Sequence, residues 1–231
     1  PPCDTVTIER DDDGSPSGIF TEWSYMPIVE LTLMRACGGF TADDRIEALG
    51  RSMQAYHACG TTSVFEEHGV AGEVLGAYRT LYERGELTMR SNLVVSPSWN
   101  AVAGVPVGGL MRGWGSWMAG RGLGDAMLRV GGLYVLLESD DEGPRSPAEN
   151  AARAQANPYT GWAGFHYDAG LPRDRLKEVL LEAARNGIRA VGLTTDLIDL
   201  YEEIDRVVPI SNRRWVLGHI GILQDDDIAR I

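Results

Sequence analysis

Lysine is almost missing from this sequence. Of 21 basic residues only Lys177 is a lysine and the rest are arginine. That skew reflects genomic base composition rather than function. Positive charge is also scarce overall: 33 acidic residues leave a net charge of −12. Nucleic-acid partners need clustered cations to neutralise phosphates, so the balance argues against them, and equally against an anionic membrane surface. Cysteine is rare too. Cys3, Cys37 and Cys59 are odd in number and far apart, which argues against a disulfide framework and for a reducing, cytoplasmic compartment. No CxxC and no HxH occurs, so no compact zinc motif is present. No apolar run reaches the roughly 18 residues of a membrane span. The opening "PPCDTVTIERDDDG" has neither the basic start nor the apolar core of a signal peptide.

What is present is an ordinary apolar share, 44% over 231 residues, enough for one packed domain. Alternation near Val6–Ile8 followed by an acidic turn predicts a hairpin or loop. Thr41 with Asp44 three residues on is a capping signal. It opens a helix over 41–60 with Ile46, Leu49, Met53 and Tyr56 on one face. "TTSVFEE" predicts a short strand. "GEVLGAYRTLYERGE" predicts a helix with Val74, Leu75, Tyr78, Leu81 and Tyr82 inward and Gly85 stopping it. "LTMRSNLVVSP" is strand-like. Residues 97–125, rich in Gly and Trp, predict a long loop with at most one short helix. "AMLRVGGLYVLLES" is the next strand, and 140–170 a second long loop. "LPRDRLKEVLLEAARNG" predicts a helix with Leu176, Val179, Leu180 and Ala183 inward and Gly187 past its end. Then come strand "IRAVGL", helix "TDLIDLYEEIDRVV" and strand "RWVLGHIGI". Strands alternating with helices imply βαβ units and a parallel sheet. No linker divides the chain, so 1–231 reads as one unit.

Five stretches in order carry a family likeness: "DGSPSGIFTE", "ACGTTSVFE", "YRTLYERGELTMR", "GIRAVGLTTDLID" and "RRWVLGHIGILQDDDIARI". Together they resemble the amidohydrolase superfamily, in the branch that includes N-substituted formamide deformylases. The resemblance implies a (β/α)8 barrel with the active site at the C-terminal ends of its strands. It implies one or two divalent metals, zinc first among them, that activate water against an amide-type carbonyl. The ligands it implies are an HxH pair, a lysine, two histidines and an aspartate. Here no HxH exists, Tyr134 stands in the lysine's place and Gly192 in that of one histidine; His219 matches the other histidine. Asp196 matches the aspartate of the family's "HaiGD" pattern. The chain matches roughly strands two to six. A five-strand arc leaves two sheet edges open, so a second chain, a missing segment or a homo-oligomer is expected to complete it.

Each candidate residue has a plainer alternative. His219 reads as a metal ligand or as a hydrogen-bonded core histidine. Asp196 reads as a site-lining catalytic residue and as a helix N-cap. Glu66 reads as a base or oxygen ligand, against a solvated loop acid; Glu67 fits the solvated reading better, and His68 is expected in the loop beyond the strand. Tyr134 reads as a donor to substrate oxygen or as a satisfied buried tyrosine, and Glu138 as an acid at a strand end. Trp114, Trp117, Trp162, His166 and Tyr167 read as cover over a substrate pocket or as a partner interface. His57 reads as structural. The activity implied is hydrolysis of a carbon–nitrogen bond other than a peptide bond in a small amide-type substrate. The alternative is a non-catalytic barrel relative serving in binding or assembly.

Overall fold

The structure, a computed structural model, describes residues 6–22, 40–137, 164, 166, 169–220 and 223–231. A hairpin of β1 (Val6–Arg10) and β2 (Pro16–Glu22) comes first, antiparallel, with the acidic turn between its strands. The remainder alternates as the sequence predicts: α1 (Ala42–Ala58), β3 (Ser63–Val70), α2 (Gly72–Glu83), β4 (Arg90–Val95), α3 (Val107–Met118), β5 (Leu123–Gly124), β6 (Leu128–Tyr134), β7 (Leu136–Leu137), β8 (Gly170–Leu171), α4 (Arg173–Arg185), β9 (Ala190–Gly192), α5 (Leu197–Asp205), β10 (Val216–Leu217) and α6 (Asp225–Ile228).

Five strands pair in parallel in the order β10-β9-β6-β4-β3, with β5 antiparallel on β6. Each of the five lies beside its predecessor in the chain. Right-handed crossovers that always step the same way put every connecting helix on one face of the sheet. The sheet curls with its other face inward, and the result is an incomplete (β/α) barrel.

Side chains on the strands divide accordingly. Leu93, Leu133, Val135 and Ala190 join the outer cores against the helices. Val94, Tyr134, Val191 and Leu193 form a separate inner cluster with Ala169. The outer layer is closely packed: Leu176, Val179, Leu180 and Ala183 of α4 are all buried, as the periodicity predicts. Thr41 caps α1 through the expected reciprocal box with Asp44. Tyr56 and Tyr82, expected inward, are instead exposed. Tyr82 sits at the rim of its helical face, where its hydroxyl donates to Asp125 at 2.9 Å.

The stretch 97–125 differs most from the loop the sequence predicts, because it holds a 3₁₀ turn (Asn100–Val102) and the three-turn helix α3. Two of its glycines serve close packing, while Gly120, Gly122 and Gly124 take positive φ in the stretch that follows α3. A Cβ at Gly115 would stand 3.0 Å from the Asn186 carbonyl oxygen, and one at Gly108 would stand 3.4 Å from Glu182. Burial of Val107, Met111 and Met118 against the neighbouring helix overrides the poor intrinsic propensity.

Candidate active site

The C-terminal end of β3 carries the sequence Glu66-Glu67-His68-Gly69. Pairing with β4 slips between Glu66 and Val70, a bulge of the kind that re-aims side chains at strand ends. Gly69 makes it possible. It has φ +77, and a Cβ there would lie 2.8 Å from Tyr134 Cβ and 2.9 Å from the Ser96 nitrogen. His68 therefore belongs to β3, not to a loop beyond it. The imidazole is half-buried, with its ring centroid 6.3 Å from that of Tyr134 and 5.2 Å from that of His219 in an edge-on arrangement.

His219 lies just past β10, at the opposite edge of the sheet. Tyr201 stacks edge-on against Trp215 at 4.9 Å and donates to the Val216 carbonyl at 3.3 Å, fixing this short strand. The Gly218 N–H donates to the Gly192 carbonyl at 2.8 Å. His219 then takes φ 54, one of two non-glycine residues in the left-handed region among the described residues. Such backbone is costly and gathers at functional turns. Glu67 completes the meeting of edges. A Cβ on Gly218 would lie 2.0 Å from the Glu67 carboxylate oxygen Oε2, so this carboxylate occupies the space that a side chain at 218 would fill. The curl of the sheet thus brings Glu67 and His68 of one edge strand against Gly218 and His219 of the other.

The electrostatics favour a neutral His68. Burial pushes its pKa below the usual histidine range, the His219 ring adds to this, and Glu67 opposes. Glu66 lies on the helix-facing side with Val64. Burial and then the charge of Glu67 raise its carboxyl. Tyr78 in the outer core is pushed up to about 12 by burial and then by Glu66.

The other sequence candidates fall in different places. Tyr134 is buried in the inner cluster, beneath His68. The His166 backbone N–H donates to Ser96 Oγ at 3.0 Å, and Ala71 N–H donates to the Gly164 carbonyl at 2.9 Å. Gly164 and His166 are therefore held against the C-terminal ends of β3 and β4. Trp114 packs in the outer core, 6.0 Å ring to ring from Trp99, and Trp117 is also there. Asp196 stands at the N-cap position of α5 but is exposed and makes no capping bond with its side chain; its backbone is helical, which turns the carboxyl away from the free N–H groups. His57 bonds Thr61 O and Thr88 Oγ1, a structural role. Glu138, Trp162 and Tyr167 lie outside the described residues.

Gly192 faces the wrong way for a ligand. Strand alternation puts Val191 and Leu193 inward, and a Cβ at 192 would lie 1.9 Å from Leu197 Cδ1 in the helix layer. Among the described residues no group of three His, Cys, Asp or Glu is placed to hold a metal ion. His68, His219 and Glu67 are neighbours without converging on one point, and zinc takes about four ligands. The residues described do not fit a complete metal centre.

Sequence reasoning named His219 and Tyr134 but placed His68 in a loop and took Glu67 as solvated. The signal was there in Gly69, a glycine inside a strand pattern, which marks a bulge.

No protein-family model matches the sequence, and no curated protein matches it. Among solved structures the chain is similar to an uncharacterized metal-dependent hydrolase from Pyrococcus horikoshii OT3, with a TM-score of 0.51 and 16% identity, over 96% of this chain and 41% of that one. The chain thus spans about two fifths of that neighbour's length. At this identity the likeness is one of fold, and it agrees with the incomplete barrel.

Proposed function

We propose that this chain is the middle arc of a metal-dependent hydrolase barrel whose reactive end is the strand-end mouth formed by His68, His219 and Glu67. The observation that carries this reading is the 5.2 Å approach of two imidazoles from opposite edges of the sheet, at the end of the strands where barrels of this kind hold their chemistry. The structural neighbour is named for metal-dependent hydrolysis, and the motif resemblance points to carbon–nitrogen bonds in small amide-type substrates.

His68, held neutral, has a lone pair ready to take a proton from water, and Glu67 beside it stabilises the imidazolium that results. Tyr134 walls the mouth from below, and the His166 backbone is held at the end of β4 by Ser96. Glu66 and Trp114 lie on the helix side of the sheet and Asp196 at the exposed start of α5, so none of the three belongs to this centre. Because the described donors fall short of a metal shell, no step is assigned to a metal. If zinc takes part, its remaining ligands come from a second chain, a further segment or another copy that closes the barrel.

The alternative is a barrel kept for binding or assembly. It is favoured by the outward-facing Gly192 and by the lack of a converging ligand set among the described residues. Zinc analysis of the purified chain, alone and with any protein that co-purifies, separates the two. Stoichiometric zinc that disappears in both His219→Ala and His68→Ala, with turnover of an N-substituted formamide, supports the hydrolase. Zinc content unchanged by both substitutions, or no zinc in any metal-replete preparation, leaves the binding role.

A further inference from the structure

Below the mouth, the inner face of the sheet holds a cation whose bonding is unfinished. Arg189 immediately precedes β9. Its guanidinium carbon lies 5.1 Å from the centroid of the Phe65 ring on β3, and Nη2 donates to the Gly131 carbonyl at 2.8 Å. Gly132, with φ +97, is what lets the side chain lie there, since a Cβ at 132 would stand 3.1 Å from Arg189 Nε. The Nε–H is buried and no described group accepts from it. Asn92, paired in register with Phe65, is in a similar state: its Oδ1 is buried with no donor.

No described carboxylate pairs with Arg189. The charged group that acts on it is Arg214, a second cation, and burial followed by Arg214 holds its pKa below the usual arginine value. Buried polar groups are normally satisfied, and a partly buried cation normally has an anion. An orphan donor, an orphan amide and an aromatic wall on one concave face are the components of an oxyanion cradle, and arginine suits a planar carboxylate. The amide orientation of Asn92 is an assignment, so turned about χ2 it presents an N–H where its orphan oxygen now lies, on the strand beside Phe65. Phe65 is 38% exposed, so the cradle is open on that side.

We propose that Arg189, with Phe65 as its wall and Asn92 alongside, is a carboxylate-binding site on the inner face of the sheet, separate from the His68–His219 mouth. The carboxylate comes either from a free small acid or from an acidic side chain of a second copy of this strongly acidic chain. This inference rests on the fold and not on the hydrolase reading, and its test involves neither zinc nor turnover.

The test titrates the purified chain with sodium acetate against sodium chloride at matched ionic strength. It follows the Arg189 Nε–H resonance, the melting midpoint and the sedimenting mass. For a free acid, acetate and not chloride shifts the Arg189 resonance and raises the melting midpoint of a monomer saturably. The rise is absent in Arg189→Met, which keeps the apolar stem over Phe65. For a second copy, the chain self-associates, and both acetate and Arg189→Met lower its sedimenting mass. Should Arg189→Met not fold, the resonance of the natural protein still decides. A resonance that acetate does not move, with a sedimenting mass that acetate does not change, overturns the proposal.

Discussion

The two faces of the sheet are different solids. The outer face, between strands and helices, is closed: Leu176, Leu180, Leu197 and Leu200 are fully buried and pack into continuous cores. The inner face has one small apolar cluster around Tyr134 and Val191. Around it stand groups that are exposed, half-buried or incompletely bonded: Phe65, Asn92, Arg189, Glu67 and His68. The outer face supplies the stability of this chain. The inner face holds the polar groups from which the proposed chemistry is argued. The largest expected effect therefore lies outside. Leu197→Ala should cost about 2–5 kcal/mol in urea unfolding, the usual range for a leucine deleted from a packed core. Val191→Ala on the inner face should cost less, and equal losses would dissolve the distinction.

The second effect tests the geometry of β9. Gly192→His with Tyr134→Lys restores two residues of the resembled ligand set, yet it should bind no more zinc than the natural chain. The new imidazole enters the helix layer against Leu197 and Tyr201, and overpacking of that kind costs about 1–3 kcal/mol. Tight zinc uptake by the double variant in excess of the natural chain, measured by equilibrium dialysis, would show that residue 192 can turn inward.

The outer face is also what the sequence makes legible. Period and caps locate α1, α2 and α4, and the inward set of α4 is correct at each position named. These signals are local, since one helix face and its ends decide them. The inner face is not local. Nothing between residues 63 and 70 announces that Glu67 will rest on Gly218, 151 positions later, because that contact depends on how far the sheet curls. For the same reason the length of α3 is hidden in a stretch that reads as a loop with at most one short helix: Gly108 and Gly115 are explained by Glu182 and Asn186, far along the chain. Gly192 likewise aligns with a ligand by motif and is excluded by the face it occupies.

A smaller effect follows from pH, with opposite signs on the two faces. His68 has its folded pKa lowered, so its contribution to stability is complete above the ordinary histidine value of 6.5 and is lost as pH falls through the folded one. Glu66 has its folded pKa raised. Its contribution is complete below 4.5 and is lost as pH rises through the folded value. Glu66→Gln should therefore stabilise the chain at pH 7 and make no difference at acidic pH. His68→Asn should flatten the decline on the acid side. Urea midpoints across pH 4–8 check both, and a destabilised Glu66→Gln at pH 7 would place that carboxyl in an ion pair instead.

The smallest effect is the most direct probe of openness. Phe65 is 38% exposed although it lies inside a barrel strand, a position that a closed barrel fills with packed side chains. In the isolated arc Phe65→Ser gives up partial burial and a stack on Arg189, and exposed cation–π pairs are worth about 0.5–1 kcal/mol. The same substitution in a completed barrel removes a ring packed on all sides, for which the scale is that of core truncation, about 3–5 kcal/mol. Measuring Phe65→Ser in the isolated chain and again with whatever closes it therefore turns one substitution into a gauge of closure. A cost near 1 kcal/mol that rises on assembly means the inner face is finished from outside, whereas a large cost in the isolated chain means this arc has already closed on itself.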